Sequence, residues 1–208
     1  MTGPINQRGV TLVELLLAVT ISLIVVAIAT PSFRSTLRNY RASGDARDVA
    51  AEILLAKMRA ASDFTQARAY FDTSANTFRL EIWNKATNAW VPDNPTGTLK
   101  LSSGITVAYS PQGNPPPNTQ ATIAQSPGCY PGSGTNPGGG SAVSNTACVV
   151  FNSRGIPIDP TTNNATGNAA IYITDGVGVY ASTVSATGNI TSWRIDSYDT
   201  NQTHWKKR

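Results

Sequence analysis

Apolar and polar residues divide the chain into three stretches. From Val10 to Thr30 (VTLVELLLAVTISLIVVAIAT) the residues are apolar or small, and the one charge is Glu14. About twenty residues at a rise of roughly 1.5 Å make a rod of about 30 Å, the thickness of a bilayer's hydrocarbon. The stretch therefore predicts a membrane-spanning helix over 10–31. Beyond it, Phe33, Leu37, Tyr40, Val49, Ile53 and Met58 recur at spacings near three and four, with Asp45, Arg47, Asp48, Glu52 and Arg59 largely off that face. The helix is expected to continue as an amphipathic rod over 32–62. Pro31 and Gly44 should bend it rather than end it, because the pattern resumes after each.

From Gln66 onward the period falls to two. Ala67–Phe71 and Asn76–Trp83 predict a hairpin with Phe78, Leu80 and Ile82 on one face, and Leu99–Tyr109 supplies further strand material around Gly104. Residues Ser110 to Ala147 then interrupt the pattern with PQGNPPPN and a Gly-rich loop, too poor in apolar side chains to read as core. Strands return at Cys148–Phe151, Ala169–Thr174, Gly178–Val184 and Ile190–Ile195, separated by turns at Arg154-Gly155, Asp175-Gly176 and Thr187-Gly188-Asn189. The expected fold class is α+β, a long N-terminal helix packed against an antiparallel β-sheet head over 63–208.

Composition agrees with a turn-rich, helix-poor head, since 17 Gly and 13 Pro occur in 208 residues. The net charge of +4 is unevenly placed: after Ser62 nine Lys and Arg face eight Asp and Glu, and three of those nine are Lys206, Lys207 and Arg208. Without its tail the head is slightly acidic, so the overall basicity does not by itself imply nucleic acid. Cys129 and Cys148 flank the glycine-rich loop. Two cysteines cannot fill a structural zinc site, and their spacing is not that of a C-x-x-C redox pair. A disulfide closing the loop 129–148 is the favoured reading, two unpaired buried thiols the other; the disulfide would place the head in an oxidising compartment.

Residues Arg8 to Glu14 (RGVTLVE), followed by Leu15, Leu16 and Leu17, resemble the class III signal of type IV prepilins and type II secretion pseudopilins. The order differs from a secretory signal, because Gly9 precedes the apolar run and a cut there leaves the anchor attached. The resemblance implies a leader over 1–9, cleavage after Gly9 by a prepilin peptidase, N-methylation of the new terminus Val10, and a need for Glu14 in filament assembly. Val10 stands where the family usually has Phe, and Pro31 falls where its anchor helix commonly carries a proline.

The physics of Glu14 points the same way. A carboxylate well inside hydrocarbon costs roughly 2.5 to 3.5 kcal/mol, so a lone acid there is a functional candidate. Either it snorkels to the headgroups from about one turn inside the membrane edge, or it pairs with the amine of Val10 on a neighbouring subunit. An ion pair that only assembly can complete acts as a register device. Counted by positive charge alone, Arg34, Arg38 and Arg41 would turn the head toward the cytoplasm. The signal and the cysteine pair argue for a periplasmic head instead, on a single-pass inner-membrane anchor.

CVVFNSRGIPID, and the turn TGN leading into ITSWRID, resemble the FimT/GspH group of minor pilins and pseudopilins. The resemblance implies a minor subunit that helps initiate or cap a type IV pilus or a type II secretion pseudopilus. Its partners would be the prepilin peptidase, other major and minor pilins or pseudopilins, the inner-membrane assembly platform, and the lipid bilayer before assembly. DNA-receptor members of the group carry a G-R-x-R type segment, whereas Gly188 here is followed by Asn189, Ile190 and Thr191. The alternative is a pilus-displayed subunit for DNA uptake or attachment, using the basic tail Lys206, Lys207 and Arg208.

Catalysis finds little support. The single histidine, His204, lies in a tail expected to be mobile, which removes His-based triads and H-E-x-x-H sites. Asp196 and Asp199 read as surface charge rather than as paired acids or calcium ligands, and Gly132 to Gly140 lack the Lys and helix of a phosphate loop. No cofactor, metal or enzymatic activity is expected.

Overall fold

The computed structural model describes residues 11–208 apart from 95, 96, 197 and 200, and excluding the side chains of 31 and 32. Gly9 and Val10, the expected processing residues, lie outside the described residues. Helix α1 runs over Leu12–Ser62 without a break at Pro31 or Gly44. The chain divides into two compact units, Met1–Arg38 and Asn39–Arg208.

Within the first unit α1 is an apolar rod. Leu12, Leu15, Leu16, Leu17, Ile24 and Ile28 are all more than half exposed, and α1 is the one helix among the described residues long and apolar enough to cross a membrane. Its polar side chains turn back onto the backbone: Thr20 Oγ1 donates to the Leu16 carbonyl, Ser22 Oγ to Ala18 at 2.8 Å, and Thr30 Oγ1 to Val26 at 2.7 Å. Hydroxyls satisfied in this way present no free donor to hydrocarbon.

The second unit holds two antiparallel sheets. The first is built from β1 (Ala67–Asp72), β2 (Thr77–Asn84), β3 (Ala89–Pro92), β4 (Leu99–Lys100), β5 (Thr146–Phe151) and β6 (Pro157–Ile158). Its order is β3-β2-β1-β5-β6, with β4 also on β2. The second is built from β7 (Ala169–Thr174), β8 (Gly178–Val184), β9 (Ile190–Asp196) and β10 (Lys206–Lys207), in the order β10-β9-β8-β7. The predicted hairpin forms in the register Ala67 to Ile82 through Asp72 to Thr77.

One face of both sheets meets the second part of α1. Ala67, Ala69 and Phe71 of β1, Ala147, Val149 and Phe151 of β5, and Ala169, Ile171 and Ile173 of β7 share a core with Ala42, Val49, Ile53, Ala56 and Ala60. The helix face agrees only in part with the one its large residues suggest: Val49 and Ile53 are buried as expected, and the departures lie elsewhere on the face. Tyr40 is 77% and Met58 58% exposed, whereas Asp45 and Glu52 are buried. The stripe is dominated by alanines, which let the sheets approach closely, and the acids on it are provided for. Asp45 accepts from Ser102 N at 2.7 Å and Ser102 Oγ at 2.9 Å. Burial, and then the charge of Asp93, push the Glu52 carboxyl above its usual range, with the Leu80 backbone pulling it partly back.

The opposite faces are covered by the segment that reads as polar loop. Of Leu99–Tyr109 only Leu99–Lys100 forms a strand; Leu101, Ile105 and Val107 enter the core from irregular chain. Beyond it, the amide of Gln125 and the hydroxyl of Ser126 take the place of a neighbouring strand along β7. Gln125 Oε1 accepts from Tyr172 N and Gln125 Nε2 donates to Tyr172 O, both at 2.8 Å, while Ser126 exchanges bonds with Ala170. This seals the sheet edge against pairing with another chain. A few well-placed polar groups thus replace the apolar mass that hydropathy reading looks for.

Candidate functional site

Two places bear on function: the start of α1, and the head surfaces formed by the disulfide loop and the C-terminal tail. At the start of α1, Thr11 precedes the first helical residue. Its Oγ1 accepts from the backbone N–H of Glu14 at 3.2 Å, and its carbonyl accepts from Leu15 N at 3.1 Å. Thr11 is therefore an N-cap, and Glu14 stands third in the helix, as in a T-x-x-E capping box. The carboxylate lies in the first turn, where the helix dipole favours negative charge. The T-x-x-E spacing of Thr11 and Glu14 that makes this cap is visible in the sequence itself, beside the reading of Glu14 as an acid in lipid.

The cysteines are joined. Cys129 and Cys148 form a disulfide with a Cα separation of 5.0 Å. They pack with Val150 and Ile158, flanked by Tyr70 and Trp90, on the face of the first sheet away from α1. The glycine-rich loop lies down on that face. Arg68, pointing out of β1, donates to the Tyr130 carbonyl, and Trp90 Nε1 donates to the Pro137 carbonyl at 3.1 Å. Gly132 has a φ of 87°, and a Cβ there would sit 2.6 Å from the Trp83 ring, so both backbone and space require glycine.

Arg68 is the hub of this face. Its side chain and that of Glu81 are each 5% exposed, and Arg68 Nε meets Glu81 Oε2 at 2.7 Å. Glu81 also takes Arg79, at 2.7 Å. The Arg68 guanidinium lies 4.1 Å from the centre of the Trp90 ring, and that of Arg79 4.0 Å from the Tyr70 ring. Burial pulls the Arg68 pKa down, and the Glu81 charge opposes the pull. Nothing in the local pattern marks Arg68 or Glu81 for burial, since alternation puts both on the polar side of their strands; the covering loop does that.

The tail is ordered, contrary to the expectation of a mobile end. Lys206 and Lys207 pair with Arg194 and Trp193 of β9. Trp205 is 5% exposed, packs edge-on to Tyr172, and donates from Nε1 to the Asn114 carbonyl at 3.1 Å. Arg208 donates to Ser43 Oγ of α1 at 2.7 Å and lies over the Tyr180 ring, 5.6 Å from its centre. The buried anchor Trp205 is what pattern reading could not see in HWKKR. Lys206, Lys207 and Arg208 stay exposed. Asp196 and Asp199 face different partners: Asp196 meets Arg194 at 3.4 Å, and Asp199 meets His204 Nδ1 at 2.7 Å. The Asn201 backbone N–H, then His204, hold the Asp199 carboxyl below its usual range. Among the described residues no cluster of His, Cys, Asp and Glu could hold a metal ion.

Residues 5–30 match the prokaryotic N-terminal methylation motif family. The motif lies on the apolar N-terminal helix, and an α+β head follows it. Among solved structures it is similar to the minor pseudopilin EpsH from the Type 2 Secretion System of Vibrio cholerae. The identity is 11%, the TM-score 0.45, and the alignment covers 76% of this chain and 99% of that one. Comparison with curated protein sequences gives no match.

Proposed function

We propose that the chain is a minor pilin or pseudopilin, a structural subunit that helps initiate or cap a type IV pilus or a type II secretion pseudopilus. The observation that carries this reading is the methylation motif over residues 5–30, which runs directly into an exposed apolar helix whose first turn holds one acid. In this reading a prepilin peptidase cuts after Gly9, Val10 becomes the methylated terminus, and the helix anchors the chain in the inner membrane with the head in the periplasm. The assembly platform then moves it into a filament of other pilins or pseudopilins. Glu14 pairs there with the Val10 amine of a neighbour, so that assembly satisfies a charge the bilayer leaves exposed. The subunit has no catalytic role.

Mass spectrometry of the mature chain and a Glu14→Ala variant test this together. The expected chain begins at N-methylated Val10, and the variant is cleaved and inserted but fails to enter filaments. Retention of residues 1–9 beside an active peptidase, or normal filaments with Glu14→Ala, would overturn it.

A second reading, display of a DNA-binding surface, is favoured by one observation: β10 fixes exposed Lys206 opposite Arg194, with exposed Arg208 two residues on, while Lys207 alternates to the other face over the Trp193 ring. Cations fixed on a docked strand suit phosphates better than a loose tail does. Replacing Lys206 and Lys207 with Ala should weaken duplex DNA binding and flatten its salt dependence, leaving filaments intact.

A further inference from the structure

The turn that ends α1 is unusual. Thr65 N donates to the Ala60 carbonyl at 3.3 Å, closing a Schellman-type end that puts Phe64 in the C′ position, with φ 49°. That position suits glycine, and a bulky aromatic there is a genuine outlier. The strained turn is held from two sides: Lys85 Nζ donates to the Phe64 carbonyl at 2.7 Å, and Thr65 Oγ1 to the Trp83 carbonyl at 2.9 Å. The Phe64 ring gains no core contact in return, since the residue is 75% exposed. Strain held in place without a packing reward points to function.

The ring borders a cavity of about 430 Å³ that four separate segments build. This lies within the roughly 300–1,000 Å³ range of small-molecule sites. Trp83 contributes to its wall, and Asn88, Thr135, Asn152 and Ser153 surround it. Gln66 also lines it; its Nε2 donates to Asn163, while its Oε1 is buried without a hydrogen-bond partner. No carboxylate is among the described lining residues, and the one cation, Lys85, is engaged by the Phe64 carbonyl. Charged ligands therefore find little to pair with, and a lining with one proline and no aliphatic side chain does not fit an apolar peptide. An exposed aromatic face ringed by neutral amides and hydroxyls matches a sugar, whose C–H face stacks on a ring while its hydroxyls exchange hydrogen bonds.

We propose that this cavity at the C-terminal end of α1 binds a neutral saccharide, with Phe64 as the stacking platform. The site requires only the folded head, so it stands or falls separately from filament assembly.

The test uses the full chain in a detergent without a sugar headgroup, with chitotriose, cellotriose and maltotriose as probes. Tryptophan fluorescence titration and saturation-transfer NMR are the readouts. At least one probe is expected to bind saturably. Phe64→Gly, which relieves the left-handed strain, should keep or raise the melting temperature while weakening binding at least about tenfold. Phe64→Tyr keeps the ring and should retain binding. Ser153→Trp, at an exposed lining position, should block the cavity without touching the helix end, and decides the matter alone if Phe64→Gly fails to fold. Absence of binding by all three probes, or undiminished binding by Phe64→Gly or Ser153→Trp, would overturn the proposal.

Discussion

Arg68 offers the sharpest test of how the head holds its glycine-rich loop. Replacing it with Met removes the guanidinium from a carboxylate whose side chain is 5% exposed, together with the donor to the Tyr130 carbonyl and the cation over Trp90. Breaking a buried ion pair from one side costs about 3–5 kcal/mol, because the remaining charge is stranded. Glu81 keeps Arg79, whose side chain is 29% exposed and so partly hydrated. The lower end of that range, about 3 kcal/mol, is therefore expected. For a domain of this size, with about 2–4 °C per kcal/mol, it becomes a fall of about 6–12 °C in Tm. Urea unfolding of the full chain in micelles, followed by tryptophan fluorescence, measures the first quantity. Hydrogen exchange across residues 129–140 should show the loop opening before the sheets do. Adding Glu81→Leu to Arg68→Met should recover part of the loss, since no buried carboxylate is left stranded and Arg79, which loses its partner, is exposed enough to be hydrated. A loss below about 1 kcal/mol for Arg68→Met, or no recovery in the double variant, would refute the assignment of Arg68 as a buried clamp.

Other expectations follow from the same contacts. Reducing the Cys129–Cys148 bond, or replacing both residues with Ser, should destabilise the head by about 3 kcal/mol through the loop entropy released, read as a lower Tm. Asp45→Ala strands the Ser102 N–H and hydroxyl at a half-buried site and should cost about 1–2 kcal/mol in urea unfolding. The raised Glu52 pKa means the folded head binds a proton more tightly than the unfolded chain. Glu52 therefore subtracts stability as pH rises from its ordinary value of 4.5 through the raised one, and Glu52→Gln should flatten that slope in Tm measured against pH. Trp205→Ala should lower stability by about 3 kcal/mol and release β10, because the ring fills the space beside Tyr172.

The parts of this protein legible in its sequence are those set by local spacing. An apolar run with one acid, a period near 3.6 after it, and alternation bounded by Gly and Asn turns require no partner to be recognised. They gave the helix over its whole described length and most strand positions, to within a residue or two at the edges. The helix face is legible only in part: Val49 and Ile53 of the expected stripe are buried, but Tyr40 and Met58 are not, and alanines with Asp45 and Glu52 complete the face that packs. Which face is buried depends on how closely the sheets approach and on whether Ser102 and Leu80 stand opposite the acids, and no local rule encodes that.

The long polar segment illustrates the same division. Composition identified it as irregular, and it is, but it covers the outer faces of both sheets. It does so through single side chains, Tyr109 at its start and Ile123 on the second sheet and Cys129 bonded to Cys148 with Tyr130 held by Arg68 on the first, while Gln125 and Ser126 close the edge of β7. Trp205 likewise turns a basic tail into an edge strand. Apolar helix, methylation motif and strand rhythm were determined by neighbours in the chain, because their signals are short-ranged. Which polar residues lie inside, where the tail docks, and what surrounds Phe64 were decided only when segments distant in sequence met, since burial and hydrogen-bond satisfaction belong to pairs of surfaces rather than to single residues.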